Sequence, residues 1–180
     1  MQMLESFQLD VVSVRLVKNA PLFSDKKITT PEDAVSLLGE LLCEMDREVV
    51  CVINQKSDGT PINCNFASMG AINQAIAEPR ELFKTAILSN AAKMLLVHNH
   101  PSGTLEPSKE DTILTDRMLK LSTLLGIPLI DHVIVGGDNS RYFSFKEKEM
   151  LIMPKLNLTQ NYQYLEFENQ VLVEEPGRSR

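Results

Sequence analysis

The sequence predicts an α/β domain in which helices pack on a central mixed sheet, and three observations support this class. Apolar runs typical of buried strands occur at residues 48–53 and 93–97. Segments with apolar residues at helical spacing alternate with these runs. The predicted helices also open on recognisable start signals, such as Thr30 and Ser108. Alternating strands and helices are typical of a sheet covered by helices.

The first half of the chain is predicted to hold three strands and one helix. Residues 9–17 are rich in β-branched side chains, which favours a strand. Thr30 then provides an N-cap and Pro31 a first helical residue, followed by an apolar stripe that is expected to face the core. Beyond this helix we expect a strand at 48–53, a turn at 56–61 and a returning strand at 62–67.

The second half is predicted to hold two long helices and three strands. Pro79 opens a helix, and a short strand at 93–97 follows it. Ser108 is the predicted N-cap of the next helix, which Gly126 ends. The inward-facing residues of that helix are expected to be Ile113, Leu114, Met118, Leu121 and Leu125. The remaining elements are a strand at 128–135, a hairpin partner at 141–145 and a short closing helix at 146–151.

Length and patterning predict one folded domain with flanking segments. A chain of 180 residues is long enough to bury a sizeable core. We expect an N-terminal strand and lead-in at 1–29 and the domain at 30–151. A polar tail is expected at 152–180, where the regular periodicity ceases.

Composition narrows the expected partners and compartment. The net charge is −6, whereas nucleic-acid binding requires a basic surface. The sequence has no apolar run that could span a bilayer and no signal-peptide pattern. Cys43, Cys51 and Cys64 lack metal-ligand spacing and favour free thiols in a reducing compartment. We therefore expect a cytoplasmic protein that binds neither nucleic acid nor membranes.

Residues 98–111 hold the most informative pattern, His98-x-His100-x₇-Ser108-x₂-Asp111. With three histidines in the chain, a chance His-x-His pair is expected in roughly one such chain in twenty. Two imidazoles at alternate strand positions project to the same side. The first turn of the following helix would bring Asp111 back to them, where the positive helix N-terminus favours a carboxylate.

Two imidazoles and one carboxylate are a suitable ligand set for a catalytic metal. Catalytic zinc sites typically have three protein ligands and one position open to water, although the same donors suit other divalent ions. Taken separately, the parts have simpler interpretations. Ser108 and Asp111 form an ordinary capping box, and His98 and His100 would be a polar pair at a strand end. The combined spacing favours the metal.

A metal-activated water also needs a base to accept its proton. Glu106 and Glu110 are the acids nearest to the motif in the sequence. Both are typical of a solvent-facing loop or helix surface. The residues by themselves therefore do not identify the base.

The stretch from His98 to Asp111 resembles the JAMM motif of the JAB/MPN metallopeptidases. The flanking sequence is similar to the RadC branch of that superfamily over about residues 30–150. The similar segments are Val97–Gly103, Pro107-Ser108, Leu125–Ile127, Asp131–Val135, Pro79–Phe83 and Gly70.

The resemblance implies a cytidine-deaminase-like α/β/α sandwich and the activity of a zinc metallopeptidase. His98, His100 and Asp111 would be the zinc ligands. Glu48 would act as general base toward the water and then as acid toward the leaving amine. Ser108 would help to stabilise the oxyanion. The substrate would be a peptide or protein, cleaved at a peptide or isopeptide bond.

His132 is the third histidine of the chain and follows Asp131 in the predicted strand 128–135. Adjacent strand residues point to opposite faces, so these two side chains do not form a local pair. The family pattern includes both residues but not as zinc ligands. We interpret His132 as a buried histidine that orients the site from behind.

Two other functions stay open at this point. RadC proteins typically carry a helix-hairpin-helix region before this domain, and no such pattern precedes Glu48, so we expect a short form. Such a chain could be a non-catalytic regulatory module associated with DNA repair or mobile elements, for which Glu48 would be dispensable. A zinc nuclease or nucleotide hydrolase would instead need phosphate-binding cations near the metal. The candidates in the sequence are Arg80, Arg117 and Arg141, and they form no cluster.

Overall fold

The structure is a computed structural model that describes residues 12–69 and 77–155. Within residues 31–144, the helices and strands follow one another in the predicted order. They are α1 (Pro31–Cys43), β1 (Val49–Gln55), β2 (Pro61–Met69), α2 (Pro79–Leu88), β3 (Lys93–His100), α3 (Lys109–Leu125), β4 (Leu129–Gly136) and β5 (Tyr142–Ser144).

The strands form one mixed sheet in the order β2-β1-β3-β4-β5. β3 and β4 run parallel, and the other neighbouring pairs are antiparallel. The parallel pair requires a crossover connection, which α3 provides. The end of β3 and the start of α3 therefore lie at the same edge of the sheet.

Helices cover both faces of this sheet, which confirms the predicted α/β/α sandwich. On one face, Leu38 of α1 shares a core with Cys51 of β1. On the other face, Leu82 of α2 and Met118 of α3 share a core with Val52. Because successive strand residues point to opposite faces, β1 contributes to both cores and is buried along its whole length.

The predicted starts of α1 and α3 are confirmed. Thr30 and Ser108 are the N-caps, and each forms a complete capping box with the acid three residues later, Asp33 or Asp111. Gly126 ends α3 in the left-handed conformation, with a φ of 68°.

The strand predicted at 9–17 is wrong over residues 12–17. These residues have no regular secondary structure, and their apolar side chains are exposed, with Val12 at 80% and Val17 at 82%. A β-branched pattern becomes a strand only where a neighbouring strand pairs with it, and no described strand does so here. Residues 9–11 lie outside the described residues.

Two further local predictions are wrong. Residues 146–151 form successive turns and then irregular chain rather than a helix. In α3, Ile113 and Leu125 are 48% and 46% exposed instead of facing inward. Leu125 lies in the last turn of the helix, and Ile113 faces the candidate site.

The folded core extends to Ile28, although the predicted domain begins at residue 30. Ile28 is fully buried, and its N–H donates to the Gly59 carbonyl at 2.9 Å. The division into 1–29, 30–151 and 152–180 otherwise stays a prediction, because residues 1–11 and 156–180 lie outside the described residues. Gly70, one of the residues that carry the family resemblance, also lies outside them. Among the described helices, none combines the length and apolar character needed to cross a membrane.

Candidate metal centre

His98 and His100 lie at the end of β3, which extends to His100 instead of ending at Val97. They occupy alternate positions, so both rings lie on the face that α2 and α3 cover. Both side chains are buried. Their Nε2 atoms are 2.8 Å apart. The structure therefore brings the two predicted imidazole ligands together below the start of α3.

Asp111 lies in the first turn of α3 and faces both rings. Its Oδ1 is 3.3 Å from His98 Nε2, and its Oδ2 is 3.3 Å from His100 Nε2. Oδ2 also accepts the N–H of Ser108 at 2.7 Å and the Ser108 hydroxyl at 2.6 Å. The same carboxylate thus caps the helix and faces the imidazoles, so the two interpretations of this motif describe one side chain.

The donor set of these three residues fits a divalent metal. Their ligand atoms all lie within 4.8 Å of one another. Two ligands bound tetrahedrally to zinc at about 2.0–2.1 Å are about 3.3–3.4 Å apart. The two nitrogen–oxygen distances of 3.3 Å match this spacing. The nitrogen–nitrogen distance of 2.8 Å is a hydrogen-bond distance, so the rings must separate slightly to share a metal.

The other ring nitrogen of His100 is held by the loop after β3. His100 Nδ1 lies 2.7 Å from the Thr104 carbonyl, which can only accept, so Nδ1 carries a proton. Gly103 shapes this loop with a φ of 78°, in the region that favours glycine. Its N–H donates to the His100 carbonyl at 2.9 Å. His100 Nε2 is thereby left to face Asp111.

The other ring nitrogen of His98 contacts a buried chain of side chains. His98 Nδ1 lies 2.8 Å from His132 Nε2, and His132 Nδ1 lies 2.7 Å from Thr115 Oγ1. The Thr115 hydroxyl donates to the Asp111 carbonyl at 2.6 Å. The His132 ring also stacks on Phe145, with centroids 5.0 Å apart. The predicted place of His132, buried behind the site, is confirmed.

Burial and hydrogen bonding shift the pKa values of the cluster in opposite directions. Burial lowers the pKa of His98 well below its usual value and that of His132 to about 4. Burial also acts to lower the pKa of His100, but its bonds to Asp111 and Thr104 outweigh this and raise the pKa. Burial opposes ionisation of Asp111, yet its contacts with His100 and His98 lower its pKa. An ionised carboxylate among imidazoles suits a cation.

Glu48 lies directly before β1 and lines the same cavity as His98 and Asp111. The cavity has a volume of about 170 Å³. The negative charge of Glu48 contributes to the raised pKa of His100. The antiparallel register pairs Val50 with His98, and this places Glu48 beside the end of β3. The structure thus brings the predicted base to the predicted ligands.

Asn99, the central residue of the His-x-His motif, holds the backbone on both sides of Glu48. Its Oδ1 accepts the N–H of Val49 at 2.8 Å, and its Nδ2 donates to the Arg47 carbonyl at 3.1 Å. Sequence reasoning missed this buried side chain. A signal was present, because a polar residue in a buried strand needs hydrogen-bond partners.

Ser108 is exposed at the edge of the site. Its hydroxyl donates to Asp111 Oδ2 and accepts the N–H of Asp111 at 3.1 Å. It therefore acts as a helix cap in the structure. Its role toward an oxyanion stays a prediction.

The position of Thr115 was also missed by sequence reasoning. It lies one helical turn after Asp111 in α3, where its buried hydroxyl contacts a histidine of β4. No local pattern distinguishes Thr115 from the other threonines of α3, Thr112 and Thr123, whose hydroxyls also donate to a carbonyl one turn earlier.

Comparison with known proteins agrees with the fold. A family model of the RadC-like JAB domain matches residues 28–150. A UPF0758 protein of Clostridium beijerinckii is 37% identical over 128 residues, and one of Rubrobacter xylanophilus is 42% identical over 126 residues. A UPF0758 protein of Methanosarcina mazei is 34% identical over 123 residues.

These three alignments cover 71%, 69% and 68% of this chain, and 55%, 53% and 53% of the relatives. The chain therefore spans about half the length of the curated relatives it matches. The matched region includes the whole described sheet, its three helices and the segment from His98 to Asp111. The chain belongs to the RadC-like JAB domain family.

Proposed function

We propose that this chain is a zinc-dependent hydrolase that cleaves a peptide or isopeptide bond. One observation carries the proposal: the ligand atoms of His98, His100 and Asp111 lie within 4.8 Å of one another, and His98 and Asp111 line a cavity that Glu48 also lines. JAB domains are related to metallohydrolases, and the family membership therefore favours hydrolytic chemistry.

His98, His100 and Asp111 would hold the metal, which when bound supplies Lewis-acid activation of a water and of the substrate carbonyl. Glu48 would accept the proton of the attacking water. It would then deliver that proton to the leaving amine, so that one carboxylate serves as base and acid in turn. Glu48 ends the cycle in its initial ionised state.

A general base must be held at a fixed distance from the reacting atoms. Asn99 would provide this for Glu48, because it binds the backbone of Arg47 and of Val49. Glu48 thereby keeps its place at a point where the backbone ladder of β1 and β3 ends. Asn99 is a positioning residue in this proposal.

The walls of the cavity favour a peptide over a phosphate ester. Ile113 is 48% exposed and lines the cavity with Leu114, which gives an apolar surface beside the ligands. Glu78 and Glu110 add negative charge. Arg117 is the cation among the described lining residues, and it lies 3.5 Å from Glu78. A phosphate backbone would find few cations here.

Ser108 would stabilise the developing oxyanion by turning its hydroxyl from Asp111 to the substrate. A peptide or protein substrate, without direct nucleic-acid binding, is part of this proposal. So is a cytoplasmic location, which the free thiols of Cys43, Cys51 and Cys64 favour.

Metal content is the first test. Wild-type protein and a His98→Ala/His100→Ala variant would be purified without added metal or chelator and measured by inductively coupled plasma mass spectrometry. We expect about one zinc per wild-type chain and none in the variant. A wild-type protein that carries no metal and takes up none from added zinc would refute the proposal.

Hydrolysis is the second test, with peptide and isopeptide substrates and a Glu48→Gln control. The control variant should keep its zinc but lose roughly 10²–10⁴-fold in rate, because it has no proton acceptor. If zinc-loaded wild type cleaves none of these bonds, or Glu48→Gln is as active as wild type, the catalytic role is wrong. A non-catalytic module would then be the better interpretation.

A further inference from the structure

We propose that His132 and Thr115 are positioning residues that set the tautomer of His98 and so keep its Nε2 lone pair directed at the metal. This inference rests on the proposed metal site. It concerns residues that are not themselves ligands, and it follows from the direction of three consecutive hydrogen bonds.

The direction of these hydrogen bonds is determined by the first of them, within α3. The backbone carbonyl of Asp111 can only accept a hydrogen bond. Thr115 Oγ1 lies 2.6 Å from this oxygen, so the Thr115 hydroxyl donates to it. With its single proton committed, Thr115 Oγ1 must accept from His132 Nδ1 at 2.7 Å. Nδ1 of His132 therefore carries the proton.

The position of the proton on His132 determines the position of the proton on His98. A neutral imidazole protonated at Nδ1 presents a lone pair at Nε2. His132 Nε2 therefore accepts from His98 Nδ1, 2.8 Å away. His98 in turn is protonated at Nδ1 and presents its own lone pair at Nε2, the atom that lies 3.3 Å from Asp111 Oδ1.

The surroundings of these side chains keep their hydrogen bonds in one arrangement. His98, His132 and Thr115 are all buried, so water does not compete for their hydrogen bonds. Phe145 stacks on His132 with an interplanar angle of 6°, which limits rotation of that ring. Asp111 and Thr115 belong to the same helix, so this series of hydrogen bonds also links the proposed carboxylate ligand to the proposed imidazole ligand.

The opposite tautomer of His98 would place a proton where the metal should bind. Partners that hold the other ring nitrogen of a ligating histidine fix its tautomer and ring orientation, and their loss typically reduces metal affinity about 10–100-fold. We expect an effect of this size when Thr115 can no longer accept a hydrogen bond.

The first measurement needs no variant. The chain has three histidines, and all of them belong to this cluster. In ¹⁵N–¹H spectra of zinc-free wild-type protein, we expect His98 and His132 to be protonated at Nδ1 and not at Nε2. A proton on Nε2 of His132 would overturn the inference, whether or not the protein binds zinc.

The second measurement compares zinc dissociation constants, determined by chelator competition, for three variants of similar shape. Thr115→Val removes the hydroxyl, Thr115→Ser keeps it, and Thr123→Val removes a hydroxyl that makes an equivalent bond to the Leu119 carbonyl at 2.9 Å. Thr115→Val should bind zinc about 10–100-fold more weakly than wild type. The other two variants should bind it like wild type.

Each result of the two measurements bears on the inference. Wild-type affinity in Thr115→Val, or an equal loss in Thr123→Val, would overturn it. If Thr115→Val does not fold, the wild-type tautomers and Thr115→Ser decide. If wild-type protein binds no zinc at all, the proposed function fails, whereas the spectra still show whether the hydrogen-bond chain has the direction inferred here.

Discussion

The starts of α1 and α3 are two capping boxes of the same kind, and they differ in what the acid faces. At α1, Asp33 accepts the N–H of Thr30 at 3.0 Å, and its other oxygen lies 2.9 Å from the Lys26 ammonium. At α3, Asp111 accepts the N–H of Ser108 at 2.7 Å and lies 3.3 Å from each of two imidazoles.

The surroundings of the two carboxylates explain the difference. The Lys26 side chain is 50% exposed, so its pair with Asp33 is a surface ion pair of small energetic value. The imidazoles that face Asp111 are 1% and 8% exposed. The same local motif is therefore only a helix cap in α1, whereas in α3 it is a cap and a candidate metal ligand. The chemistry of the motif is decided by what lies opposite the acid.

The largest expected effect separates the two acids by metal affinity. Asp111→Asn keeps an oxygen that can cap the helix but loses the negative charge of a ligand. We expect its zinc affinity to fall more than about 100-fold, beyond the range typical for residues that only support ligands. The matched variant Asp33→Asn should bind zinc like wild type in the same chelator competition. Similar losses in both variants would contradict the distinction.

Zinc should also raise the free energy of unfolding, and this gain should depend on Asp111 and not on Asp33. A ligand that binds only the folded state, at 100 times its dissociation constant, adds about 2.7 kcal/mol to the free energy of unfolding. We expect this gain in wild type and in Asp33→Asn but not in Asp111→Asn at the same zinc concentration. Urea unfolding with and without zinc measures it, and a full gain in Asp111→Asn would show that zinc binds elsewhere.

Acid should weaken the zinc-free protein through both carboxylates. The Lys26 hydrogen bond lowers the pKa of Asp33, together with the hydrogen bonds that this carboxylate accepts from Thr29 and Thr30. The contacts with His100 and His98 lower the pKa of Asp111 against the effect of burial. A carboxyl with a lowered folded pKa contributes stability above its unfolded value of about 4, and this is lost as the pH falls below it. Between about pH 5 and pH 3, Asp33→Asn should therefore lose on the order of 1 kcal/mol less than wild type in urea unfolding. An identical loss would contradict this.

The smallest expected effects concern the N-cap hydroxyls. Thr30→Ala and Ser108→Ala should each lower the free energy of unfolding by about 1 kcal/mol, because each removes an acceptor for a helix N–H. Ser108→Ala should also weaken zinc binding by up to about tenfold, since its hydroxyl supports Asp111. Thr30→Ala should not. Equal zinc affinities would mean that Ser108 is a cap only, as Thr30 is.

Elements with strong local signals were predictable from the sequence. The helix starts at Thr30 and Ser108, the end at Gly126 and the buried strand β1 all follow from patterns within a few residues. The strand predicted at 9–17 failed over its described part because pairing depends on a distant partner. The exposure of Ile113 was unexpected for a related reason, because periodicity marks an apolar residue but not a cavity beside it.

The residues of the candidate site likewise fall into two groups, those that local patterns predicted and those that they did not. His98, His100 and Asp111 were predictable because strand alternation and a helix start place them together over a short span. Glu48 was identified by resemblance, since the contact between β1 and β3 depends on sheet register and not on spacing. Asn99 lies within the motif, but the sequence did not reveal its hydrogen bonds to the backbone of Arg47 and Val49.

The sequence by itself determined the family, the order of the helices and strands from α1 to β5, and a short segment able to offer two imidazoles and a carboxylate. These features depend mainly on interactions between neighbours along the chain. Only the tertiary structure decided that Glu48 meets that segment and that Thr115 and His132 lie behind it. Those contacts join α3 to β4 and β1 to β3. Packing and register set such contacts, and no local pattern encodes them.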